Sequence, residues 1–388
     1  MEVYRKKIAI VTHQMVMGGI EKSLIEFCKA LIEKKFEITL YLEVPGGELY
    51  NEIPEDVKIV SIFEKYNNMK QVLKTFLRER QFRKSYALIE SYIINKLEGN
   101  PVKGWIETAK YLEDEQVIYD YAFAYGAPLA FSTIYVIKNI RANKKYAWIH
   151  SDPESISLDI RKEKKYLKNY DKLICVSEST KNKMDKIIPE YASKTEVFYN
   201  IIDRNAIKIK ANETIAVDEF TGSRLLTVGR LSEEKGQDII PEIMRKLIRD
   251  NYNIKWYCVG EGELHLQLNE LIEKAGLQDK VILLGNKNNP YPYFKIADIY
   301  VQPSRHEAFG ITLTEAKILN LPIITTNFDG ASEQIKNGET GYIVNFDVDE
   351  IYYTIKKMLD NGADAKKFKD NLKQDSKSCI SDIEKLLS

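Results

Sequence analysis

Two successive series of short apolar, β-rich runs, separated by stretches of helical spacing, constrain what this chain can fold into. The first series is Lys7–Thr12, Glu37–Leu42, Val57–Ser61, Val117–Tyr121, Tyr146–Ile149 and Lys172–Val176. The second is Arg224–Gly229, Ile254–Val259, Val281–Leu284, Asp298–Val301 and Pro322–Thr325. Short apolar runs of this kind suit strands buried on both faces, and the intervening helices suit parallel crossovers. At 388 residues the chain also exceeds what one hydrophobic core usually organises. The expected fold is therefore α/β: two Rossmann-like domains with parallel sheets facing across a deep cleft.

The expected N-terminal domain covers residues 1–200, with a largely helical insertion at about 67–112. The expected C-terminal domain covers 201–365. Residues 366–388 read as a polar helical tail that packs back toward the N-terminal domain. Tyr199–Asp203 and the polar stretch Lys208–Thr221 read as a linker.

Lys and Arg together number 57, as do Asp and Glu, for a net charge of zero. That balance excludes a nucleic-acid partner held by global charge. The four cysteines, Cys28, Cys175, Cys258 and Cys379, show no CxxC spacing and read as buried free thiols of a reducing cytosol. Ile8–Val11 is too quickly broken by Thr12-His13-Gln14 to be a signal peptide. No apolar stretch approaches the ~20 residues that cross a bilayer. A cytoplasmic protein is expected. Between Lys65 and Lys84 there are seven cations and one acid, Glu79, beside an apolar stripe of Val72, Leu73, Phe76 and Leu77. Either this is a solvated helix face, or it adsorbs to an anionic membrane surface on the inner side of the plasma membrane.

The chemistry concentrates in Pro303–Glu315. Glu307 falls in a loop between a strand and a helix, and Glu315 lies about one turn inside that helix. Between them, Phe309-Gly310 lets the backbone approach a ligand, and the first helical N–H groups, around Ile311 and Thr312, favour an anion. Two hydroxyl-binding carboxylates around an anion cradle suit a sugar nucleotide. Spacing alone would fit two unrelated surface acids; the surrounding Ser-Arg-His-Glu-Ala-Phe-Gly argues against chance.

A second constellation, Val228–Gly236, places Arg230 and Lys235 where a strand passes into a helix. Two cations there can take the charge of a diphosphate without a metal. Gly18-Gly19 follows the first strand, and Gly260-Glu261-Gly262 follows a later one. Neither is GxGxxG, which disfavours a dinucleotide dehydrogenase. His150 ends a strand and is either a site residue or a hydrogen-bonded structural histidine. His13 also ends a strand, His306 neighbours Glu307, and His265 reads as surface. Such scattered ligands predict no metal site and no cofactor.

In order and spacing, Met17–Glu21, Trp148–Asp152, Val176–Glu178, Gly229-Arg230…Lys235-Gly236 and Glu307…Glu315 match a known family. Asn289–Phe294 before Ala297-Asp298 fits it too. The chain resembles the retaining glycosyltransferases of family 4, which have the GT-B fold, and the resemblance runs over nearly the whole chain. It implies that Glu315 binds the nucleotide ribose and that Glu307 contacts the donor sugar near the reacting carbon. It implies that Arg230 and Lys235 bind the diphosphate, with Phe309, Gly310 and the N–H groups of Ile311 and Thr312 around the distal phosphate. His150 would lie against the sugar, and Gly19 near the phosphate or acceptor. Ala308 departs from the Gly of many members, a one-methyl change that bears on donor fit.

The resemblance further implies metal-independent hexosyl transfer from a nucleotide diphosphate sugar, most commonly a UDP-sugar, to a hydroxyl acceptor. The attack would be on the same face, with the departing phosphate oxygen taking the acceptor's proton. A surface polysaccharide or lipid-linked sugar acceptor is expected. The alternatives are a GT-B sugar-nucleotide epimerase, which needs no acceptor, and a non-catalytic nucleotide-sugar-binding partner of another transferase.

Overall fold

The structure, a computed structural model, describes residues 5–63, 69–83, 85–86, 89–90, 93, 101–110, 112, 115–128, 130–154, 164–216, 218–374 and 383–387. The chain divides into two compact units, Met1–Ile201 with Ser381–Ser388, and Ile202–Ile380.

The first unit is built on seven parallel strands: β1 (Lys7–Thr12), β2 (Glu37–Leu42), β3 (Val57–Ser61), β4 (Ile118–Ala127), β5 (Arg141–Ile149), β6 (Lys172–Cys175) and β7 (Thr195–Val197). Their order is β3-β2-β1-β4-β5-β6-β7. Strand β4 runs six residues past the expected Tyr121, because Ala122, Ala124 and Gly126 dilute the apolar signal of its second half. Strand β5 starts at Arg141, five residues before the expected Tyr146. Residues 141–145 have β4 on one side only, since β6 joins at Tyr146; Arg141 and Lys144 are exposed there, while Lys145 donates to the Val136 and Ile137 carbonyls at 2.8 and 3.1 Å. The helix Gly19–Glu33 covers one face through Leu24, Phe27, Cys28 and Leu31, all buried at helical spacing.

The second unit carries six strands: β8 (Ser223–Val228), β9 (Ile254–Val259), β10 (Val281–Leu283), β11 (Ile299–Gln302), β12 (Ile323–Thr326) and β13 (Tyr342–Val344). Their order is β10-β9-β8-β11-β12-β13, again with every pair parallel. One face packs Trp256 and Cys258 under Ile243, Met244, Leu247, Ile351 and Ile355. The other packs Tyr300 and Ile323 against Phe294, Leu313 and Ile318. Both sheets change winding direction beside their first strand, between β1 and β4 and between β8 and β11. Ligands of such sheets bind beyond the strand carboxyl ends at that point.

The stretch expected to be a linker is partly a packed element. A helix spans Arg204–Lys210, opened by Asp203, whose carboxylate accepts from the N–H groups of Asn205 and Ala206 at 2.9 Å each. Ile207 and Ala211 are buried in the second unit. With one buried residue per turn among lysines, the periodicity was too weak to show in the sequence.

Near the C-terminus, the helix Gly362–Gln374 buries Phe368 and Leu372, and a last turn spans Ile383–Leu386. Tyr121 donates to the Leu387 carbonyl at 2.6 Å, and Lys172 to that of Leu386 at 3.0 Å. Lys34 pairs with Glu384.

Cys28, Cys175 and Cys258 are buried free thiols; Cys379 lies outside the described residues. Of the basic stretch, Lys65 and Lys84 also lie outside them, while Lys74, Arg78, Arg80 and Arg83 are exposed. No helix among the described residues is long and apolar enough to cross a membrane.

Candidate functional site

Strand β11 ends at Gln302, and the loop Pro303–Gly310 leads into the helix Ile311–Ile318. Gly310 caps that helix at φ +81°, and a Cβ there would meet the Phe328 ring at 2.9 Å. Buried Gln334 donates its amide N–H to the Phe309 carbonyl, which fixes the end of the loop. The Phe309 ring itself is buried. Gly330 passes so close that a Cβ would stand 2.7 Å from the Phe309 Cα. The N–H groups of Ile311 and Thr312 lie in the first turn, where no intrahelical acceptor exists for them.

Glu307 sits midway along this loop with its side chain 12% exposed. Its Oε1 accepts from Lys235 Nζ at 2.6 Å, Gln302 Nε2 at 2.9 Å and Ser304 Oγ at 3.2 Å. Lys235 comes from the short helical turn Glu233–Lys235 after β8. The two loops touch through Gly236, at φ +69°, where a Cβ would fall 1.9 Å from the Pro303 carbonyl oxygen. Only glycine permits that approach.

Arg305 sews the same loops together. Its guanidinium donates two parallel bonds of 2.7 Å to Asp238 and a third of 2.7 Å to the Glu233 carbonyl, and it lies 4.2 Å from the Phe346 ring centroid. The N–H groups of Arg305 and His306 both donate to the Glu234 carbonyl. Arg230 follows β8 with an exposed guanidinium that makes no hydrogen bond or ion pair among the described residues, while its carbonyl accepts from Gln237 at 2.8 Å. Glu315 is buried and accepts from the Tyr291 hydroxyl at 3.0 Å.

The structure thus brings Glu307 and Lys235 into contact on the loops that flank the β8/β11 switch point, with Arg230 and the Ile311–Thr312 turn on those same connections. Gln302, Asp238 and Gln334 were not singled out from the sequence, and Arg305 and Tyr291 only as members of longer motifs. Gln302 carried a usable signal, a polar residue closing an apolar strand.

In the first unit, Gly18 and Gly19 open the helix after β1 without a side-chain cap, and the Met17 N–H donates to Glu48 at 3.0 Å. His150 follows β5 with its ring parallel to Trp148, centroids 5.8 Å apart, and 4.4 Å from Tyr125. Burial pushes the His150 imidazole down to about 3, so it is neutral at ordinary pH. Its Nε2 has no hydrogen-bond partner among the described residues. Asp152 pairs with Lys183 at 3.0 Å. His13 and Glu43, one step beyond β1 and β2, are 2.8 Å apart; that hydrogen bond raises the His13 pKa, with burial opposing. His265 pairs with Glu261 at 2.8 Å on the surface. Among the described residues, no three His, Cys, Asp or Glu side chains are grouped so as to hold a metal ion.

Residues 216–375, which contain every site residue of the second unit, match the model of the family Glycosyl transferases group 1. Among similar sequences is the N-acetylgalactosamine-N,N'-diacetylbacillosaminyl-diphospho-undecaprenol 4-alpha-N-acetylgalactosaminyltransferase of Campylobacter jejuni. It is 30% identical over 54% of this chain and 57% of its own length. An uncharacterised glycosyltransferase of Methanocaldococcus jannaschii is 30% identical over 49% of this chain and 50% of its own. The chain therefore spans about half the length of the curated relatives it matches. Solved structures are similar over far more of the chain. The Anabaena protein HepE, in complex with UDP and glucose, superposes with a TM-score of 0.69 at 17% identity, covering 95% of this chain and 94% of its own. A glycosyltransferase of Rickettsia africae gives 0.66 at 20% identity, covering 96% and 93%. At these identities the likeness establishes the shared fold, the two-unit GT-B α/β architecture.

Proposed function

We propose that this chain is a retaining glycosyltransferase that moves a hexosyl group from a nucleotide diphosphate sugar, UDP-sugars foremost, to a hydroxyl acceptor. The observation that carries the reading is the Glu307–Lys235 contact at the β8/β11 switch point, inside the segment that matches the glycosyltransferase model. Lys235 and Arg230 take the diphosphate, the Ile311 and Thr312 N–H groups its distal phosphate, Glu315 the ribose, and Glu307 the sugar hydroxyls. As the bond from the anomeric carbon to the diphosphate breaks, its electron pair leaves with the nucleotide. The acceptor oxygen bonds to that carbon and its proton passes to the departing phosphate. Two cations stabilise the departing charge, and no metal is required in this scheme. The relative from Campylobacter jejuni, whose name contains a diphospho-undecaprenol-linked sugar, supports an acceptor in surface polysaccharide or glycolipid synthesis.

The test begins with a thermal-shift screen of UDP-, GDP- and ADP-sugars, followed by turnover of the sugar nucleotide that shifts the protein. Glu307→Gln should lower turnover by about 10²-fold or more, while the shift caused by the free nucleoside diphosphate persists. Glu315→Ala should weaken nucleotide binding. Full activity in both variants would refute the assignment.

A further inference from the structure

We propose that Gln302 is a positioning residue that holds one oxygen of Glu307 so that the other is presented to the donor sugar; this rests on the donor-site reading above. All three donors to Glu307 converge on Oε1, and no described side chain donates to Oε2. The carboxylate therefore has a protein-bound side and an open side.

Gln302 is the donor whose direction is fixed. It is buried, and its own Oε1 accepts from the Tyr300 hydroxyl at 3.2 Å and the Thr312 hydroxyl at 3.3 Å. With its carbonyl so occupied, its NH₂ faces Glu307, and a reversed amide would set two acceptor oxygens against each other. Lys235 is charged and is also the group a diphosphate would attract. Ser304 is a rotatable hydroxyl at the longer distance of 3.2 Å. When a diphosphate draws on Lys235, Gln302 still holds Oε1, and it brings no charge that would compete for the phosphates. Tyr300, Gln302, Thr312 and Glu307 thus form one polar relay from the strand, through the first helical turn, to the carboxylate.

The experiment uses the full chain with Gln302→Leu, and with Gln302→Glu in case the apolar variant does not fold. The probes are whichever of UDP, GDP or ADP shifts the melting temperature of the wild type, and its glucose conjugate. In both variants the shift given by the nucleoside diphosphate should persist, while the extra shift given by the sugar disappears. Turnover of the glucose conjugate should fall by about tenfold to a hundredfold. Gln302→Glu should fall at least as far, because its carboxylate opposes Glu307. Two results would overturn the proposal: kcat within twofold of wild type, or loss of the nucleoside diphosphate shift together with turnover. A wild type that binds the conjugate without turning it over refutes the transferase reading instead, and the sugar-dependent shift still decides the role of Gln302.

Discussion

Replacing Arg305 with alanine tests whether the loops after β8 and β11 act as one piece. The change removes two bonds to Asp238 and one to the Glu233 carbonyl, each 2.7 Å. Shielded bonds to charged groups contribute about 1.5–3 kcal/mol each. Both side chains of the pair are 25% exposed, so solvent screening pulls the total down to about 2 kcal/mol. For a unit of this size that corresponds to about 4–8 °C in Tm. The assay is thermal unfolding of wild type, Arg305→Ala, Asp238→Ala and the double variant. Since the two residues share their principal contact, the cycle should return a coupling of about 1 kcal/mol. Arg305→Lys should recover little, because a point charge cannot make the two parallel bonds. A Tm change below about 1 °C, or strictly additive single effects, would show that the bonds seen here do not hold the loops.

His150 gives a pH signature. Its imidazole lies at about 3 in the folded protein against an ordinary value of 6.5, so between those values the unfolded chain binds the extra proton. Stability should therefore rise with pH across that window and be lost as pH falls through it, by at most about 1.4 kcal/mol per pH unit. Denaturant titrations of wild type and His150→Gln from pH 4 to 7 should show a shallower slope in the variant; equal slopes would contradict the burial argument. The exposed cations Lys74, Arg78, Arg80 and Arg83 support a further proposal, binding to an anionic membrane surface. Co-sedimentation with phosphatidylserine vesicles should fall as salt rises and weaken when these four become glutamine. Binding absent at low salt would remove the idea.

The two sheets were legible because buried parallel strands are nearly continuous apolar runs. Lys7–Thr12, Glu37–Leu42, Val57–Ser61 and Ile254–Val259 have the expected ends. The short edge strands Thr195–Val197 and Tyr342–Val344 were missed, although Val281–Leu283, an edge strand of the same length, was found. Glu307 and Lys235 could each be picked out by their surroundings. Their contact could not, because they are 72 residues apart and meet only where Gly236 slides under Pro303. The Arg305–Asp238 bonds were hidden for a related reason. An arginine beside a histidine and a glutamate reads as a solvated loop until its partner on another loop is known. The burial of Glu315 against Tyr291 likewise depends on tertiary packing, which spacing along the chain does not encode.

The first unit ends with residues that follow the whole of the second. Ser381–Ser388 belongs with Met1–Ile201, and Tyr121, Lys172 and Lys34 find their partners there. During synthesis the second unit is one uninterrupted stretch that can close on itself as soon as it leaves the ribosome. The first must wait, with Tyr121 and Lys172 lacking those partners, until its final residues arrive. Order of emergence and order of completion are thus inverted, and the half made first is the half finished last.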